Sequence, residues 1–154
     1  MPNKVNPVPE GFHTVSPYIM LRDVDGAIAF YKEAFGATVT ARETDENGNI
    51  RNAEIKIGDS MLMFGQHAEI ALPISEPLPP LSFYMYVEDA DATHAKAVAA
   101  GAKEIFPVDE RFYGNREGGI VDPFGITWWI ATRVEELTRE EIQNRATAAF
   151  ASEQ

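Results

Sequence analysis

Two short runs of large apolar and aromatic residues open two similar stretches of the chain. Tyr18 to Leu21 and Phe83 to Val87 read as strands. An acidic turn follows each, Asp23 and Asp25 in the first, Asp89 and Asp91 in the second, and such carboxylates suit a helix N-terminus. From Ala27 to Phe35 the apolar residues Ile28, Tyr31 and Phe35 recur at a spacing of three to four, which predicts a helix with one buried face. Ala92 to Ala100 is alanine-rich and helix-favouring. Gly36 and Gly101 come next, each suited to the left-handed residue that ends a helix. Three shorter strands are expected after the first helix: Thr38 to Glu43, Asn52 to Ile57 and Ser60 to Phe64, with turns at Asp45–Gly48 and Gly58-Asp59. The second stretch repeats this with Lys103 to Val108, a glycine-rich segment, Gly119 to Val121, a Pro123-Phe124-Gly125 turn, and Thr127 to Thr132.

The two stretches are copies of one unit. Ser16 matches Ser82, Tyr18 matches Tyr84, Asp23 matches Asp89 and Asp25 matches Asp91, an offset of about 66 residues that persists to the last strands. The organisation predicted is a single domain over 12–133, with module one at about 12–66, a linker at 67–80 containing four prolines, and module two at about 81–133. The tail, 134–154, has a capping-box spacing at Thr138 and Glu141 and an apolar stripe of Ile142, Ala146 and Phe150. It is expected either to pack on its own domain or to meet a second subunit.

Composition narrows the field. With 45% apolar residues the chain has material for a packed interior, and no run is long enough to cross a membrane as a helix. Met1 to Gly11 is polar and proline-containing, unlike a secretory signal, so a cytoplasmic location is expected. A net charge of −11 disfavours nucleic acid as a partner. There are no cysteines, so disulfides, thiolate metal ligands and thiol catalysis are excluded. Neither a Gly-x-Ser-x-Gly elbow nor a Walker-type phosphate loop occurs.

The order βαβββ, twice, resembles the vicinal-oxygen-chelate superfamily, the glyoxalase, bleomycin-resistance and PhnB-like group. AIAFYKEAFGA from Ala27 resembles its first helix, DPFGITWWI from Asp122 its last hairpin, and YGNREGGIVDPFG from Tyr113 its PhnB-like and bleomycin-resistance-like branch. The resemblance implies an α+β glyoxalase-like fold, with curled mixed sheets from two tandem modules around a cavity, and a homodimer. It also implies a small-molecule ligand held between the modules.

Strand alternation nominates the cavity face. With Ala53, Ile55 and Ile57 packed under a helix, Asn52, Glu54 and Lys56 face the other way. By the same logic Ser16, Tyr18 and Met20 join them, with Ser60, Leu62 and Phe64 from the next strand. Module two contributes Ser82, Tyr84 and Tyr86, then Thr127, Trp129 and Ala131. Aromatic rings among a few polar groups suit an aromatic or cationic ligand, or simply fill space between sheets. Glu54 is the weak candidate for a catalytic base or a cation partner, with a cross-strand pair to Lys56 or Arg51 as the structural alternative. Phe112 and Tyr113 are candidate lid residues. Gly114, Gly118 and Gly119 either let that segment move or only permit tight hairpin geometry. Arg116 is expected either to anchor an anion or, preferably, to fix the loop through Asp122.

Superfamily members that hold a divalent metal do so with His, Gln or Glu in the first and last strands of each module. Alignment on AIAFY and DPFG puts Ser16, Leu62, Ser82 and Trp129 at those places, none a usual ligand. No metal and no other cofactor is expected. His13, His67 and His94 are scattered and read as surface or capping residues. The leading expectation is a metal-free binding protein, with antibiotic sequestration as its sharpest form. The rivals are a lyase, isomerase or dioxygenase-like enzyme of the same superfamily with a non-standard site, and a fold acting only through its dimer surface.

Overall fold

The computed structural model describes residues 5–67 and 81–151; most of the proposed 67–80 linker therefore lies outside the described residues. The chain divides into two compact units, Met1–Pro73 and Ile74–Gln154. In the first, β1 (Tyr18–Leu21) leads to α1 (Val24–Phe35), then β2 (Thr38–Thr44), β3 (Ile50–Ile57) and β4 (Ser60–Gln66). In the second, β5 (Ser82–Tyr86) leads to α2 (Ala90–Ala99), β6 (Lys103–Glu110), β7 (Asn115–Val121), β8 (Thr127–Arg133) and α3 (Arg139–Ala151). The sheets have the same order, β1-β4-β3-β2 and β5-β8-β7-β6. In each, the first strand pairs parallel with the last and the remaining pairs are antiparallel.

The helices begin where the aspartates dictate. Asp23 and Asp89 accept the amides of Gly26 and Ala92, satisfying first-turn donors that no helical carbonyl reaches. A second cap comes from the end of each last strand. Gln66 Oε1 accepts the Val24 amide at 3.1 Å, and Thr132 Oγ1 accepts the Ala90 amide at 2.8 Å. Gly36 closes α1 at φ 68°, the left-handed conformation that costs glycine least.

Each helix packs on one face of its sheet. α1 buries Val24, Ala27, Ile28, Phe30, Tyr31 and Ala34 and lies against β3 and β4. Phe64 is fully buried there, stacked on Tyr31 with centroids 5.7 Å apart. α2 is poorer in apolar bulk, burying Ala90, His94 and Ala97 against β6, β7 and β8. Its small residues allow a close approach. A Cβ on Gly118 of β7 would come within 2.8 Å of both His94 Nδ1 and Val108 Cγ2. His94 is therefore a core residue, with Nε2 2.8 Å from Glu104 Oε2, and not the surface or capping histidine the sequence suggests. No described helix is long and apolar enough to cross a membrane.

Three expectations are corrected. Asn115 to Gly118 belong to β7, so the strand begins four residues before Gly119. Gly118 and Gly119 serve close packing within it and are not hinges: a Cβ on Gly119 would meet Trp129 at 3.0 Å. Only Gly114, at φ 91°, sits in the turn. Arg116 pairs with Asp91 at 2.6 Å and does not bind Asp122. Asp122 instead accepts the Phe124 and Ile126 amides and the Trp128 indole, at 2.9, 3.0 and 2.9 Å, which fixes its own turn.

Candidate functional site

Each sheet has one face under its helix and one face away from it. On the module-two sheet, strand register puts Ser82, Tyr84 and Tyr86 of β5 beside Thr127, Trp129 and Ala131 of β8, as alternation predicts. It also puts Glu117 beside Ala131 and Gly119 beside Trp129. Trp128 points the other way, 3% exposed, tilted against Phe83 at 5.1 Å. The Trp129 ring lies over Gly119 and stacks on Phe106 at 5.3 Å, its indole N–H donating to Ser82 Oγ at 3.2 Å.

The charged centre of this face is Glu117, only 4% exposed. The Tyr84 hydroxyl donates to one carboxylate oxygen and the Tyr113 hydroxyl to the other. Asn115 Nδ2 donates to the Tyr84 oxygen at 2.8 Å. Burial pushes the Glu117 carboxyl above the ordinary glutamate range, while its phenol donors favour the ionised form. Burial also pushes the Tyr113 phenol upward. Tyr84 remains 45% exposed and Tyr86 67%, their rings 5.3 Å apart. The buried acid therefore lies behind accessible rings.

Tyr113 reaches Glu117 because its turn is held. The Gly114 amide donates to the Arg111 carbonyl at 3.1 Å, and the Gly114 carbonyl accepts the Val134 and Glu135 amides. The Arg111 guanidinium donates to the carbonyls of Pro107 and Glu117 at 3.1 and 3.0 Å. From α3, Arg145 donates to the Phe112 carbonyl at 3.2 Å and pairs with Glu135, while Phe150 lies edge-on to Phe112 at 5.6 Å. Thus α3 touches its own unit at Phe112 and Glu135, with none of its residues buried.

The module-one face is a paler version. Tyr18, Met20, Asn52 and Glu54 lie on it as expected, joined by Met63 and Gly65. Leu62 and Phe64 do not: they pair with Ile55 and Ala53 and are buried under α1. The cause is the two-residue turn, which sets Ile57 directly opposite Ser60, so both strands send matching positions to the same side. The repeat partner of Trp129 is accordingly Met63, not Leu62. Asn52 occupies the place of Glu117, and the Tyr18 hydroxyl donates to Asn52 Oδ1 at 2.6 Å just as Tyr84 donates to Glu117. Glu54 sits half-buried opposite Met63. The cross-strand alternative involving Arg51 is replaced by an Arg51–Asp45 pair at 3.4 Å.

A model of the glyoxalase/bleomycin resistance protein/dioxygenase superfamily matches residues 12–130. The chain belongs to that superfamily. An uncharacterized protein of Mycobacterium tuberculosis is 29% identical over 135 residues, covering 84% of this chain and 79% of that one. An Arabidopsis thaliana gene product of known structure is 27% identical with a TM-score of 0.63, covering 78% of this chain and 98% of that one. TioX from Micromonospora sp. ML1 shares the fold at 21% identity and a TM-score of 0.63, over 82% of this chain and 100% of its own. The fosfomycin resistance protein FosX of Listeria monocytogenes shares it at 15% and 0.64, over 84% and 97%.

Metals serve in parts of this superfamily, but the donor set here does not fit one. At the places that the register makes equivalent, Met63 offers only a thioether, Trp129 carries no ligating atom, the Ser82 hydroxyl receives an indole N–H, and Ser16 hydrogen-bonds the His13 carbonyl at 3.4 Å. Among the described residues no group of three or more His, Cys, Asp or Glu is placed to hold a metal ion. Glu117 was missed by the sequence reading. Its signal was present in Asn115-x-Glu117-x-Gly119, a period-two run obscured by the glycines around it.

Proposed function

We propose that this chain is a metal-free, cytoplasmic small-molecule-binding protein of the bleomycin-resistance and PhnB-like type, taking a flat aromatic or cationic ligand on the sheet faces turned away from the helices. The observation that carries this reading is the module-two face: exposed aromatic rings, Tyr84, Tyr86 and Phe106, beside the buried Glu117 carboxyl. Rings supply stacking and cation–π attraction, and a carboxylate behind them strengthens the attraction for a cation. An enzymatic reading, as a lyase, isomerase or dioxygenase-like protein, draws on the same carboxyl. Burial raises its proton affinity and phenol partners adjoin it, which equips it for acid–base chemistry.

Calorimetric titration with naphthylmethylammonium, a flat ring bearing an amine, tests binding. Trp129→Ala should weaken the affinity by about 0.5–2 kcal/mol, the value of a stacking or cation–π contact. Trp128→Ala should instead cost about 3–5 kcal/mol of folding stability in urea, as expected for a buried tryptophan, and Trp129→Ala less. Absence of binding, or a Trp129→Ala variant of unchanged affinity, would sink the reading.

A further inference from the structure

The repeat gives two versions of one arrangement, a tyrosine of the first strand bonded to a polar residue on the third. In module one the pair is Tyr18 and Asn52, neutral on both sides. In module two it is Tyr84 and Glu117, with Tyr113 as a second phenol donor. Among the described residues no Lys, Arg or His forms an ion pair with Glu117, whereas Asp25, Asp45, Asp91 and Glu135 each pair with an arginine. Arg111, the nearest cationic side chain in the hydrogen-bond pattern, spends its bonds on two backbone carbonyls. An ionised acid this buried without a partnered cation is costly unless it takes up a proton or something else supplies the positive charge.

The hydroxyl geometry says how that charge is met. Tyr84 gives its proton inward to Glu117, so its oxygen is left as an acceptor, and Tyr84 as a residue is 45% exposed. Donating to a carboxylate makes a phenol oxygen a better acceptor, because hydrogen bonds in a chain polarise one another. Asn115 Nδ2 uses part of that capacity, and a hydroxyl oxygen has two lone pairs.

We infer that the Tyr84–Glu117–Tyr113 cluster is a recognition site for a protonated amine carried next to a flat ring, with the ammonium donating to the Tyr84 oxygen and Glu117 acting through that phenol as the positioning and charge-bearing residue. The inference rests on the binding function proposed above and deepens it. Module one has Asn52, a neutral side chain, in the equivalent place.

The test compares naphthylmethylammonium with naphthalenemethanol, which keeps the ring and replaces the ammonium by a neutral hydroxyl. Wild-type protein should prefer the ammonium by about tenfold or more, the scale of one charge-assisted hydrogen bond. Glu117→Gln should bring the two probes within about twofold of each other. Equal affinities in the wild type, or a preference that survives in Glu117→Gln, would overturn the inference while leaving ring binding intact. If Glu117→Gln does not fold, Tyr84→Phe decides: it keeps both the ring and the carboxyl, and a full ammonium preference in it overturns the proposal. Failure of both probes to bind removes the functional reading and this inference with it.

Discussion

At the scale of single residues, Glu117 is an acid whose burial changes its proton affinity. Its folded proton affinity is raised by burial above the ordinary value of 4.5. Between that value and the raised one the folded state binds more protons than the unfolded state. The contribution of this group to stability is therefore fully present below about pH 4.5 and is lost as pH rises through the folded value. Glutamine does not titrate, so the difference between wild type and Glu117→Gln isolates this effect from the other ionising groups. Urea midpoints measured from mildly acidic to neutral pH should show the wild type losing ground to Glu117→Gln as pH rises. Parallel curves would mean that the phenol donors have restored an ordinary affinity. The sheet face read from the sequence agrees with the register where alternation ran unbroken, as for Tyr18, Met20, Tyr84, Tyr86 and Trp129. It was wrong at Leu62 and Phe64 because parity across a tight turn depends on which residues face each other, and composition does not reveal that.

At the scale of elements, β7 carries more than its glycine-rich sequence promised. It presents Asn115 and Glu117 on one face, and on the other lets α2 approach through Gly118. Gly118→Ala should cost about 1–3 kcal/mol in chemical denaturation, since its methyl group would press on His94 and Val108 in a packed layer. A cost near zero would mean that α2 can move away. The helices, the order of strands and the repeat were all legible, because they rest on periodicity and on aspartate caps. The start of β7 was not. Glycine is a poor strand former in isolation, and here neighbouring side chains, His94 on one face and Trp129 on the other, determine its presence.

At the scale of the whole molecule, the superfamily was legible from local motifs spread over most of the chain, whereas the charged site was not, since its members come from β5, β7 and the turn between β6 and β7. We expect a homodimer, as symmetric self-association is common for such domains. Sedimentation equilibrium at micromolar concentration should return twice the 17.1 kDa chain mass, and a clean monomer would refute it.

The seating of α3 has a practical consequence. Arg145 and Phe150 hold Phe112, and the next residue, Tyr113, is the one that reaches Glu117. Two α3 side chains thus lie one peptide unit away from a donor to the buried acid. Removing the Arg145 and Phe150 side chains together should therefore loosen the Phe112–Tyr113 turn and its bond to Glu117 while leaving both sheets intact.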